Sequence, residues 1–341
     1  MLSFEIDHKQ TESFRKECSI KYHTITNFFM QQFNYTKHKV DELLIDFLVT
    51  RFPYLSKTDW QEAIRTGTIK VNQTEVDNLY VLINRDVISY DRPRSSEPEI
   101  DRQNEIVHID DHIIVVNKNG NIPIAESGKY YRNTLINVLK EDHGFEDLYA
   151  VHRLDKETSG LIVIARKKEI ATLLGKQFSN QIPKKEYHAV LNGELMQEQI
   201  LVEAGIKKNI AIPGKVRIRQ IISPTGKYSK TLFIKEKSNT DLTVVKVLLF
   251  TGRTHQIRCH AEFLGHPVLG DKLYGNSDRQ FLRILKGEVE PEFPPFGIIK
   301  RQLLHASSLS INHPVTEKEV VFRSDYRSAF KLYQPVLHGL I

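Results

Sequence analysis

One carboxylate, Asp155, stands in the run His152-Arg153-Leu154-Asp155-Lys156-Glu157-Thr158-Ser159-Gly160-Leu161, among basic and turn-forming residues and just ahead of the apolar stretch 161–165. A carboxylate so placed can act as a nucleophile or base, or can merely shape a turn or cap a helix. A second dense group, Thr251-Gly252-Arg253-Thr254-His255-Gln256-Ile257-Arg258-Cys259-His260, begins at the end of one predicted strand and runs into a predicted helix. The apolar spacing gives that helix a core face of Ile257, Ala261 and Leu264. Arg253, His255 and Arg258 then surround the helix start, where free N–H groups and the positive end of the dipole favour a phosphate or a carboxylate. His255, Cys259, His260 and His266 are zinc-ligand types, but they include no Cys pair and no His-x-x-x-His on one face, so no metal is expected. The chain also lacks a convincing GxGxxG or Walker loop, and no cofactor is expected.

Both groups need a frame. Residues 113–116 and 161–165 read as buried strands, residues 169–178 as an amphipathic helix, and residues 187–191 and 243–250 as strands rich in β-branched side chains. The irregular alternation favours an α+β domain with a mixed, mostly antiparallel sheet over a doubly wound one. Upstream, Val40, Leu43, Leu44, Phe47 and Leu48 recur at helical spacing, Pro53 interrupts the chain, and Ser56 or the Thr58-Asp59 pair caps a second helix carrying Trp60, Ala63 and Ile64. Gly67 ends it, and a strand starts within Thr68-Ile69-Lys70-Val71-Asn72. The expected organisation is an extension over residues 1–38 that includes an aromatic cluster at 27–33, a small helix-helix-hairpin domain over 39–93, a polar linker over 94–104, and a large domain over 105–341.

The composition limits the function. A chain of 341 residues with 40% hydrophobic content suggests two globular domains. Forty-eight Lys plus Arg against 42 Asp plus Glu give a net charge of +6, which favours a polyanionic partner. Cys18 and Cys259 lie far apart, so a reducing compartment, the cytoplasm, is expected. No apolar run approaches the roughly 20 residues needed to cross a bilayer, and residues 1–20 are charged throughout, so neither membrane insertion nor secretion is expected.

The run around Asp155 closely resembles the signature of the RluA-like pseudouridine synthases, which isomerise uridine within RNA. Further elements follow in that family's order: Lys185-Glu186-Tyr187, the 251–260 group, Leu264-Gly265-His266-Pro267-Val268-Leu269-Gly270-Asp271-Lys272-Leu273-Tyr274-Gly275, Leu304-His305-Ala306 and Asn312-His313-Pro314. The resemblance spans about residues 106–321 and departs at Asn117-Lys118-Asn119-Gly120-Asn121-Ile122-Pro123, where the family commonly has Lys-Pro. It implies an RNA-binding cleft in which Asp155 is the nucleophile, Tyr187 the aromatic that stacks on the base, and Arg258 the partner of the Asp, with Arg253 the second candidate. Ile257 and Leu304 would wall the uracil, and Arg153 would fill the gap left by an extruded base or hold phosphates beside His255.

Residues 39–90 resemble the alpha-L RNA-binding motif of small-subunit ribosomal-protein type through Leu55-Ser56-Lys57, Ile64-Arg65-Thr66-Gly67, Ile69-Lys70-Val71-Asn72 and Asp86-Val87-Ile88. The implied partner is structured RNA, ribosomal or transfer, met by a monomer. Two other functions compete. A glycoside hydrolase would need a second carboxyl group with a distinct task, and Glu157 is only two residues from Asp155. A non-catalytic RNA-binding or ribosome assembly factor would need no such chemistry.

Overall fold

The computed structural model describes residues 30–36, 41–52, 55–91, 97–128, 130–209, 216, 218–337 and 339–341. The first 29 residues of the expected extension, Val40, Pro53, residues 92–93 of the expected small domain and linker residues 94–96 lie outside them. The chain forms two compact units, Met1–Ser96 and Glu97–Ile341.

In the first unit, strands β1 (Met30–Asn34), β2 (Ile69–Val71), β3 (Thr74–Glu75) and β4 (Val87–Asp91) form a sheet in the order β1-β4-β2-β3, with helices α1 (Leu44–Arg51) and α2 (Lys57–Arg65). The Ser56 side chain accepts the Asp59 N–H while Asp59 reaches back to the Ser56 N–H, so Ser56 is the cap and its partner is the other candidate. Trp60 and Ile64 of α2 bury fully against Leu44 and Leu48 of α1 and Ile69 and Ile88 of the sheet. Asn72 and Gln73, at φ +50° and +67°, form the tight turn between β2 and β3. The expected boundary at residue 38 needs correction, because β1 pairs along β4 and Tyr35 is 2% exposed in this unit's core. That pairing is long-range, and local periodicity does not carry it.

The second unit is built on an eleven-stranded sheet. Its strands are β5 (Glu105–Ile109), β6 (Ile113–Lys118), β7 (Tyr149–Ala150), β8 (Ser159–Ala165), β9 (Lys184–Asn192), β10 (Gln199–Lys208), β11 (Gln220–Ile222), β12 (Lys227–Ser238), β13 (Leu242–Leu249), β14 (Leu304–Asn312) and β15 (Glu319–Arg323). The order is β11-β10-β12-β13-β9-β14-β8-β6-β5, with β15 beside β14 and β7 beside β8. Every pairing is antiparallel except β14 with β8, so the sheet is mixed.

Central strands are covered on both faces, which is why they read as unbroken apolar runs. One face packs Ile114, Ile162, Ala189 and Val245 against helix α3 (Leu135–His143) and helix α5 (Gln256–Phe263). The other packs Ile113, Leu161, Val163 and Leu309 against helix α4 (Lys168–Ser179). Residues 97–104 of the expected linker fall within the second unit. The Glu97 carboxylate accepts the backbone N–H groups of Tyr131, Arg132 and Asn133 at 2.9–3.1 Å, and Ile100 packs on the core. No helix among the described residues is long and apolar enough to cross a membrane.

Gly160 lets the one parallel contact form. Its φ is +107°, and a Cβ there would stand 2.3 Å from the Ala306 carbonyl oxygen. Gly160→Ala should therefore lower the unfolding free energy by at least about 2 kcal/mol, through backbone strain and separation of β8 from β14. Denaturant titration checks this; a loss below about 0.5 kcal/mol would contradict the close approach.

Candidate active site

The turn that carries Asp155 is fixed before any charge is considered. The Thr158 N–H closes it on the Asp155 carbonyl at 3.1 Å, and the Lys156 carbonyl accepts the Asn121 and Ile122 N–H groups at 2.9 and 3.1 Å. Lys118, the last residue of β6 and 1% exposed, adds its ammonium to the same carbonyl at 3.0 Å and to those of Asn119 and Ile122 at 2.7 and 3.0 Å. Burial, followed by the Arg301 cation, pushes Lys118 down to about 7. Gln302 Nε2 donates to Thr158 Oγ1 at 2.6 Å, and Glu157 is held by the Lys272 ammonium at 2.5 Å. The loop without the expected proline thus braces the turn.

Opposite the turn, α5 brings its guanidinium inward. Arg258 Nη1 donates to Asp155 Oδ2 at 2.7 Å, while Nε and Nη2 grip Asp271 at 2.6 and 2.9 Å. Asp271 is 1% exposed, and its Oδ1 also accepts the Leu273 and Tyr274 N–H groups at 2.9 and 3.0 Å. The Tyr274 ring lies against Arg258, with its centroid 5.0 Å from the guanidinium carbon. Burial would raise the Asp155 pKa, but the Arg258 charge, with smaller help from His255 and Arg153, outweighs it and holds the carboxyl below its ordinary value. Asp155 is therefore ionised in a sheltered place.

His255 precedes α5 in the left-handed conformation, φ +56°, which is uncommon for a residue with a side chain. Its Nδ1 lies 3.1 Å from the Tyr274 hydroxyl, which itself accepts the Gln220 N–H. With Tyr274 donating to Nδ1, the Nε2–H faces Asp155 Oδ1 at 3.8 Å. Burial and the adjacent Arg258 cation push His255 down to about 4, so the imidazole is neutral near pH 7 and that contact is no ion pair.

Tyr187 of β9 is 7% exposed, and burial together with the Asp155 charge raises its phenol well above the ordinary value. It belongs to the same core cluster as Leu154 and the two expected apolar walls, Ile257 and Leu304. Arg153 is exposed beside the turn. Arg253 is exposed too and spends its Nε on the Tyr228 carbonyl at 3.0 Å; the guanidinium bonded to Asp155 is that of Arg258. Among the described residues, no cluster of His, Cys, Asp or Glu could hold a metal ion. His260 instead bonds Thr231 and Ser229, and Cys259 is a buried free thiol. The sequence reading gave no task to Asp271, Tyr274 or Lys118. A guanidinium with two usable edges was the available signal for a second carboxylate.

Asp271→Asn should leave one edge of the buried guanidinium uncompensated and lower the unfolding free energy by about 3 kcal/mol. Chemical denaturation reads the difference, and a change under 1 kcal/mol would show that Asp271 does not support Arg258.

A family model described as RNA pseudouridylate synthase matches residues 112–263, which include the Asp155 turn, Tyr187 and Arg258. The chain is 30% identical over 285 residues to ribosomal large subunit pseudouridine synthase C of Salmonella typhi, covering 80% of this chain and 85% of that protein. It is also 30% identical over 238 residues to the mitochondrial tRNA pseudouridine(32) synthase of Saccharomyces cerevisiae, covering 70% of this chain but 51% of the yeast protein. The chain thus spans about half the length of that yeast relative. Among solved structures, human RNA pseudouridylate synthase domain containing 4 superposes with a TM-score of 0.53 at 26% identity, covering 69% of this chain and 92% of the human one. On this evidence the chain belongs to the RluA-like RNA pseudouridine synthase family.

Proposed function

We propose that this protein is an RNA pseudouridine synthase that isomerises specific uridines in structured RNA, with Asp155 as the nucleophile and the target base extruded from its stack. The observation that carries the reading is the half-buried Asp155, kept ionised by the 2.7 Å bond from Arg258 and sharing its surroundings with the closed-in Tyr187. Extrusion costs a few kcal/mol, which contacts to the rest of the RNA must offset. Tyr187 then stacks on the uracil, and Arg153 occupies the vacated space or holds the backbone. The Asp155 carboxylate attacks the anomeric carbon, adds to C6 of the base, or removes the C2′ proton. On each route the detached uracil turns within the pocket, bonds to the ribose through C5 and loses the C5 proton. Hydrolysis is disfavoured because Glu157, the nearest other carboxylate in sequence, is tied to Lys272.

The substrate is ribosomal RNA or tRNA, in keeping with the names of the relatives, and the first unit docks it through individual lysine and arginine side chains. Deleting residues 1–96 should weaken RNA binding and lower the log–log salt slope by about 0.7–0.9 for each phosphate contact removed. An unchanged slope in a folded truncated protein would remove that docking role.

Asp155→Asn, which keeps the side-chain volume, should abolish pseudouridine formation in unmodified total RNA while RNA binding persists; mapping carbodiimide-induced stops reads the product. Substantial turnover with deamidation excluded by mass spectrometry would falsify the nucleophile. Arg258 has a separable signature. Burial raises the Asp155 pKa and Arg258 lowers it, so Arg258→Met should move the acid limb of the pH–rate profile to higher pH as well as slow the reaction. A limb that stays in place would mean that Arg258 does not set the ionisation.

A further inference from the structure

Lys185 stands at the start of β9, two residues before Tyr187, so alternation along the strand puts both side chains on one face, about 7 Å apart. The lysine is half-buried, and burial alone lowers the proton affinity of its ammonium. Even so, among the described residues no hydrogen bond or ion pair reaches its Nζ. By contrast, Lys118 holds three carbonyls, Lys235 holds Glu198 and the Leu195 carbonyl, and Lys272 holds Glu157 and the Lys300 carbonyl. A cation withdrawn from water with no protein acceptor has lost solvation without compensation, and an anionic ligand would restore it.

Its surroundings indicate which ligand. A Cβ on the exposed Gly252 would stand 3.5 Å from Lys185 Nζ, and nothing else in the protein would lie within 4 Å of it. The ammonium therefore lies beside the exposed start of the loop that leads to His255. On the other side its charge acts on His152, the residue next to Arg153, whose guanidinium is exposed. Lys185 thus stands beside the loop that carries Arg253 and close to the His152–Arg153 segment that leads into the Asp155 turn.

We propose that Lys185 binds a phosphodiester of the RNA strand flanking the extruded nucleotide, holding the backbone while Tyr187, on the same strand face, takes the base. This rests on the synthase reading above and adds a residue to it. An ammonium suits a single phosphate oxygen on a mobile backbone, and the bare Gly252 leaves room for the ribose–phosphate chain.

The test uses the full-length protein carrying Asp155→Asn to stop turnover, titrated against unmodified transcribed tRNA and a large-subunit ribosomal RNA fragment over a series of salt concentrations. Adding Lys185→Met, which keeps the aliphatic stem, should weaken binding about tenfold near 0.1 M salt and lower the log–log slope by about 0.7–0.9. Lys185→Arg should restore most of both, with melting temperatures unchanged. In active protein, Lys185→Met should raise KM far more than it lowers the single-turnover rate at saturating RNA. Unchanged affinity and slope overturn the proposal, as does a lower melting temperature that Lys185→Arg does not repair, or a rate loss at saturation with unaltered affinity. Failure of the parent protein to bind either RNA also overturns it. If that protein binds RNA but the native enzyme makes no pseudouridine, the synthase reading fails while the slope comparison still decides the role of Lys185.

Discussion

A single guanidinium divided between two carboxylates governs this site. Arg258 gives two donors to Asp271 and one to Asp155, so Asp271 fixes the plane of the group and Asp155 takes what the fork has left. Without a cation beside it, burial would push this carboxyl toward its protonated form. With Arg258 in place it stays ionised yet keeps one oxygen free of the guanidinium. Because Asp271 is buried, the fork cannot swing toward solvent without abandoning a charge in the interior. The neutral His255, held by Tyr274, adds a nearby donor without a competing full charge.

That interaction depends on two elements meeting accurately. Asp155 enters from the turn before β8 and Arg258 from α5, and the sheet brings them together through β9 and β14 between β8 and β13. Lys118 and the backbone of residues 121–122 hold the turn from one side, and Gln302 from the other. Each strut ends on a backbone carbonyl or a small hydroxyl of the turn, so it restrains position without drawing charge from the carboxylate.

Much of this was legible in the residues. The apolar runs at 113–116 and 161–165 are strands because they are buried on both faces, and the spacing of Ile257 and Ala261 placed the inner side of α5. Asp155, Tyr187 and Arg258 stand out by chemical type within recognisable surroundings. The missed features share a cause. Asp271 reads as an ordinary turn acid until its guanidinium partner is known, and Lys118 reads as a surface cation because its three acceptors are backbone carbonyls, which have no signature in sequence. Glu97 likewise serves N–H groups more than thirty positions downstream. The strand at Met30–Asn34 is defined by its partner β4 more than by its own pattern. Local periodicity reports burial; it does not report which distant backbone group a side chain will satisfy.

The parallel contact between β8 and β14 also sets an order of events. During synthesis the chain emits the Asp155 turn and β8 early, but the neighbour of β8 on its inner side is β14, which begins at Leu304. Until that late segment arrives, β8 has β6 along one side and only the short β7 at the far end of the other, its start is unpaired on that edge, and Gln302 is not there to hold Thr158. Pairings so distant in sequence form slowly, because the loop must close before its contacts contribute. A nascent chain therefore carries Asp155 long before the contacts from β14 and Gln302 that complete its surroundings can form.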